Sequence, residues 1–284
     1  MTALAFKRLA IAAAVTFGAA GFGAGSALAG PVFLTGHDPD FHAQDSVHAQ
    51  HLLSNGLSFV TGGTFDDAAP AKKFLWVESN LAPPGGFRVG KLGLTTGLGL
   101  VEGVHFDQVN GADFATVDLS LYSAVAVASS FGGMLTSAEI AALNARAGDI
   151  KTFVNAGGGL LALAECFPAS SFCLANNVTA ADALFGFVPV AVSSAVTVAP
   201  YSLTAAGAAM FPALTDDDMN DPTHNSFGAT GGLTVVDVDS AGTPTTLAGI
   251  VRITDGGFEG IPAPATLAVF GAALVGLAGL RRRG

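Results

Sequence analysis

Basic residues are scarce in this chain: 12 lysines and arginines stand against 22 acidic residues in 284 positions. Lys7 and Arg8 fall in the first 29 residues and Arg281, Arg282 and Arg283 near the end, so the stretch between keeps seven basic residues and a net charge of −15. Such a surface repels phosphate backbones, which argues against nucleic acid as a partner. Divalent cations or plain solubility are the uses left for the charge. Cysteine is equally sparse, with Cys166 and Cys173 alone. No internal repeat, low-complexity linker or long charge run divides the middle of the chain, which reads as one domain large enough to bury its own core.

The two ends differ from the middle. Lys7 and Arg8 precede an apolar run, Leu9 to Phe17, and small residues lead to Ala27-Leu28-Ala29, the pattern of a cleavable secretion signal over residues 1–29. The other end, residues 259–284, carries Pro262-Ala263-Pro264, an apolar run from Leu267 to Leu280 and then the arginines; with its proline-rich lead-in the run is just long enough for a membrane-spanning helix, with the arginines as a cytoplasmic stop. This order of short proline motif, apolar helix and arginine cluster resembles the PEP-CTERM sorting tail, with Ala263 standing where the motif has Glu. The resemblance implies an exosortase-type processing enzyme as partner, membrane attachment through the tail, and export to the envelope, surface or matrix of a Gram-negative bacterium, with exopolysaccharide as a possible neighbour. In an oxidising compartment the close pair Cys166 and Cys173 is expected to form a disulfide.

Between the ends, strand and helix patterns alternate. Val32 to Thr35 reads as a first buried strand, Phe41 to Leu57 as a helix with Val47, Leu52 and Leu53 near one face, and Lys73 to Glu78 as a second strand. Phe87 to Leu100 suits a loose, glycine-weakened helix, and Val104 to Val109 a small strand. Leu121 to Ser129 is continuously apolar, as burial on both faces requires. Thr136 to Asn155 has the cap, dipole and apolar stripe of one long helix, ended by Gly157 before a further strand, Gly158 to Ala164. Strand, helix and strand in this order predict a parallel crossover. Thr179 to Phe185 reads as a short helix and Val192 to Val198 as a strand, while Leu233 to Val238 and Thr245 to Ile253 read as antiparallel partners. Together these predict an α/β, flavodoxin-like three-layer sandwich over residues 30–258, its sheet mainly parallel with an antiparallel edge.

The stretch from Tyr122 to Glu165, most specifically Phe153 to Glu165, resembles the middle of the class I glutamine amidotransferase-like fold. That resemblance implies a catalytic cysteine after the strand, and Cys166 stands near its place. The sequence there, Leu163-Ala164-Glu165-Cys166-Phe167-Pro168, lacks the glycines of a strained nucleophile turn, and a bridged Cys166 is no thiolate. His224 resembles the position of that family's base; a surface loop is the alternative.

The densest chemistry lies at Gly36-His37-Asp38-Pro39-Asp40-Phe41-His42, directly after the first strand, where open parallel sheets bind ligands. Imidazole and carboxylate suit a divalent metal, so His37, Asp38, Asp40 and His42 are its candidate ligands. The alternative is local: the two aspartates cap the turn and helix, and the histidines are surface residues. Glu165 ends a strand on the same sheet edge and could face the same pocket. Asp216, Asp217 and Asp218 form an acidic run that could hold calcium or simply be solvated. Two readings follow. One is an exported, envelope- or matrix-associated protein whose amidotransferase-like domain binds or supports without catalysis. The other is a metal-assisted hydrolase-type enzyme built on His37, Asp38, Asp40, His42 and Glu165.

Overall fold

The computed structural model describes residues 28–81, 89–165, 178–193, 197–220 and 224–260. Residues 1–27, the sorting motif Pro262-Ala263-Pro264 with its apolar run, and both cysteines lie outside them. Among the described residues no helix is long and apolar enough to cross a membrane.

In chain order the elements are β1 (Gly30–Thr35), α1 (Pro39–His42), α2 (Val47–Thr61), β2 (Phe74–Val77), β3 (Phe106–Val109), β4 (Ala124–Val127), α3 (Ser137–Ala145), α4 (Ala147–Asn155), β5 (Gly159–Leu163), β6 (Val192–Ser193), β7 (Ser202–Leu203), α5 (Ala205–Met210), α6 (Asp216–Met219), β8 (Ser226–Phe227), β9 (Thr234–Val238), β10 (Pro244–Thr254) and β11 (Gly257–Gly260). One sheet of nine strands runs β3-β2-β4-β5-β1-β10-β9-β7, with β11 also on β10. The first five strands are parallel to one another. From β10 onward every pairing is antiparallel, including the expected partnership of β9 and β10. Strands β2 to β5 therefore follow the doubly wound order, while β1, first in the chain, lies between β5 and β10 and joins the parallel half to the antiparallel one. The chain leaves β2 toward β3 on one side and returns to β4 on the other, so the strand order reverses between β2 and β4.

The apolar runs explain the layering. Successive side chains of a strand point to opposite faces. Val32 and Leu34 of β1, with Leu160 and Ala162 of β5, join a core with Ile140, Leu143, Ile150 and Val154 of α3 and α4. Phe33, Leu161 and Leu163, with Trp76 of β2, pack on the other face against Leu52, Leu53 and Leu57 of α2. Val47, expected on that face, is 53% exposed in the first turn of α2.

The single helix expected over Thr136–Asn155 is two helices. Thr136 and Glu139 start α3 with a reciprocal capping box. At Arg146 the backbone leaves helical geometry (φ −98°, ψ 17°). There the guanidinium reaches away, its Nη1 donating to the carbonyls of Phe114 (2.6 Å) and Val117 (2.8 Å) and its face lying 5.1 Å from the Phe114 ring centre. Charged hydrogen bonds to two carbonyls outweigh one more turn of helix. Arg146→Ala should lower stability by about 2 kcal/mol in chemical denaturation.

Candidate metal centre

Four strands end at one place. Thr35 ends β1 and Asp38 follows; Glu78 follows β2; Ser129 and Ser130 follow β4; Glu165 follows β5. These are the carboxyl ends of the parallel strands, and Asp38, Asp40, Glu78 and Glu165 are all at most 2% exposed there. Four buried carboxylates demand partners, because an unpaired charge is expensive to bury.

Pro39 opens α1, where its missing N–H costs nothing and its fixed φ suits the first helical position. The short turn puts Asp38 and His42 four residues apart on one face, with His42 Nε2 3.3 Å from Asp38 Oδ2. Asp38 makes no side-chain capping bond, so the local role open to it in the sequence is not taken up. His224 arrives from far along the chain. The backbone amides of His224 and Asn225 both donate to the Gly36 carbonyl, at 3.1 and 3.3 Å. A Cβ on Gly36 would sit 1.8 Å from the Asn225 carbonyl oxygen, so only glycine lets this segment lie against the end of β1. His224 Nε2 is thereby held 3.6 Å from Asp38 Oδ1 and 3.7 Å from Glu165 Oε1.

Asp38, His42 and His224 each offer a ligand atom, all within 4.8 Å of one another. Bonds of roughly 2.1 Å around a tetrahedral ion put neighbouring ligand atoms about 3.4 Å apart, close to the two separations from Asp38 to the imidazoles. Both Asp38 oxygens are buried and meet no hydrogen-bond donor in bonding geometry among the described residues. The imidazoles, each a little over a quarter exposed, form the side of the cluster that opens to solvent. This group can hold a divalent metal ion.

The carboxylates around it are tied to one another. Asp40 Oδ2 accepts from the Ser129 amide (3.0 Å) and hydroxyl (3.1 Å). The same hydroxyl lies 3.2 Å from Glu165 Oε2, which also accepts from the Gly132 amide at 2.9 Å, and Ser130 Oγ donates to the Glu165 carbonyl. Burial pushes Asp40 up to about 6, helped by the charge on Asp38 and opposed by Ser129. Burial, then Asp38 and Asp40, raise Glu165 well above the usual carboxylate range. Asp38 moves the other way: burial would raise it, but the imidazoles of His224 and His42 outweigh burial and hold it ionised. One ionised carboxylate between two imidazoles, beside carboxyls that favour the acid form, is a ligand set with an acid next to it.

The other singled-out residues lie elsewhere. His37 is buried with its Nε2 2.9 Å from Asp237 Oδ2, which also accepts from Thr245 Oγ1 at 2.6 Å, and its ring meets Tyr201 edge-on. It ties β1 to β9 and β10 and takes no part in the cluster. Asp216, Asp217 and Asp218 form the short α6 rather than a loop, and Asp218 Oδ1 accepts from His48 (3.1 Å) and His51 (3.0 Å) of α2. Cys166 and Cys173 lie outside the described residues, so the disulfide and any cysteine chemistry rest on sequence alone. Comparison of the chain with protein-family models, with curated proteins and with solved structures found no match.

Proposed function

We propose that this chain is an exported protein whose α/β domain is a metal-assisted hydrolase-type enzyme, with Asp38, His42 and His224 as ligands and Glu165 as acid/base. The observation that carries the reading is Asp38: a buried carboxylate set between two imidazoles, with neither oxygen meeting a donor in bonding geometry among the described residues. Two histidines and one carboxylate are a ligand set used by hydrolytic zinc sites, which keep a further position for water. Glu165 Oε1, 3.7 Å from the His224 ligand atom, lies within reach of such a water. The proposal that the protein is exported, processed by an exosortase-type enzyme and placed at the envelope or in the matrix stands on residues 1–29 and 259–284, and the mass of the mature protein from its host tests both cleavages.

Cobalt(II) is a suitable probe of the centre. The chain loaded with cobalt should show the visible absorption of a four-coordinate ion, and His224→Ala should abolish it. With 4-nitrophenyl acetate as a test ester, Glu165→Gln should keep the cobalt spectrum and lower metal-dependent hydrolysis by roughly a hundredfold or more. The second reading is a binding domain without catalysis. It is favoured by the burial that keeps Glu165 in its acid form and by the Ser129 and Gly132 groups that engage its Oε2. If the spectrum forms and no metal-dependent hydrolysis accompanies it, that reading replaces the first.

A further inference from the structure

A cavity lies on the same carboxyl edge of the sheet as the metal cluster. It is a cleft of about 430 Å³ over the carboxyl ends of β2 and β3, within the size range of small-ligand sites. Ligands of open α/β sheets bind outside the carboxyl ends of the strands. The metal cluster, by contrast, stands over β1 and β5.

The cleft is lined by Glu78, Glu102, Gln108, Asp113 and Lys91 among others. Its one described cation, Lys91, is already paired, with Nζ 3.2 Å from Glu102 Oε2. Asp113 Oδ2 accepts from the Asn110 side-chain amide, at 2.7 Å. Glu78 is 1% exposed, and its Oε2 accepts from Trp76 Nε1 (2.5 Å) and the Lys91 amide (2.7 Å). Its Oε1 accepts no hydrogen bond among the described residues. Gln108 Oε1 is likewise without a donor. The described walls thus offer acceptors and negative charge, and among the described residues no unpaired cation lines them. A group that brings donors and positive charge satisfies both needs at once, whereas an anion would be repelled and a ligand made only of acceptors would leave Glu78 unpaired.

We propose that this cleft binds an amine-bearing organic cation, its ammonium group seated against Glu78. An ammonium carries three donors and no acceptor, which complements a carboxylate with one unused oxygen. The inference does not depend on the metal reading, so the binding is measured on chain freed of metal by a chelator.

Three four-carbon probes separate charge from shape: 1,4-diaminobutane, butane-1,4-diol and succinate, titrated by calorimetry at low salt and pH 8, where Glu78 is ionised. The diamine should bind at least about tenfold more tightly than the diol, and succinate should give no heat of binding. Glu78→Gln keeps the shape of the side chain and should weaken the diamine by about tenfold. Asp255→Asn, a change at a fully exposed carboxylate, should leave it unaltered. Equal binding of diol and diamine would overturn the proposal. So would equal weakening by Asp255→Asn and Glu78→Gln, since the diamine would then be responding to overall charge, and so would an unchanged diamine affinity in Glu78→Gln with a native circular dichroism spectrum.

Discussion

Gly36→Ala should both unfold the protein more easily and disable the metal centre. The added Cβ meets the Asn225 carbonyl oxygen at 1.8 Å and its carbon at 2.5 Å, and both are backbone atoms that cannot rotate aside. Relief requires moving the segment that carries His224, which breaks its two amide bonds to the Gly36 carbonyl. The stability cost should be about 3 kcal/mol, at the upper end for overpacking a well-filled site. Metal affinity should fall with it, because His224 no longer sits 3.6 Å from Asp38. Gly148→Ala is the control: a Cβ there meets nothing within 4 Å and the position is helical, so stability should be unchanged or slightly higher. Thermal denaturation of the metal-free forms reads the first effect, and zinc titration the second.

The metal-free protein should lose stability as pH rises from 5 to 8, the reverse of the usual acid sensitivity. Glu78 is pushed from 4.5 to about 7, first by burial and then by the charge of Asp40, against its hydrogen bonds from Trp76 and Lys91. Asp40 is raised from 3.8 to about 6. For an acid whose folded pKa is raised, the folded state holds the proton more tightly than the unfolded chain. The associated stability is complete below the unfolded pKa and is lost as pH climbs through the folded one. For Glu78 the loss is on the order of 3 kcal/mol by pH 8. Glu78→Gln cannot ionise, so its denaturation midpoint should fall less between pH 6 and 8 and exceed that of the parent at pH 8. Carboxylates held low, such as Asp38 and Asp218, ionise below this window and do not alter its slope.

The parallel half of the sheet was legible because its strands are buried on both faces. Ala124–Val127 and Gly159–Leu163 are unbroken apolar runs, and the cap at Thr136 marks the helical crossover between them. The break at Arg146 was hidden because its cause is non-local. The carbonyls that draw the guanidinium away lie 32 and 29 residues earlier, and no helical periodicity reports them.

The site divides in the same way. Asp38, Asp40 and His42 stood out as chemistry crowded after a strand, and Glu165 as a strand end. What the crowding could not decide was direction. Asp38 and His42 share a face at helical spacing, while His37, ahead of that helical turn, reaches Asp237 in the antiparallel half. His224 carried no signal by spacing. Its place depends on the close approach at Gly36, and a lone glycine after a strand is common wherever a chain turns. In the sequence Glu78 is no more than the end of a strand, since burial beside Asp40 is a property of the assembled sheet.

The most direct test is a zinc titration of the purified, tag-free chain against a competing chelator, with Asp38→Ala alongside. The account predicts about one equivalent bound by the parent chain and an affinity at least a hundredfold lower in Asp38→Ala, with both proteins folded. A parent chain that binds no zinc, or an Asp38→Ala chain that binds it equally well, would contradict it.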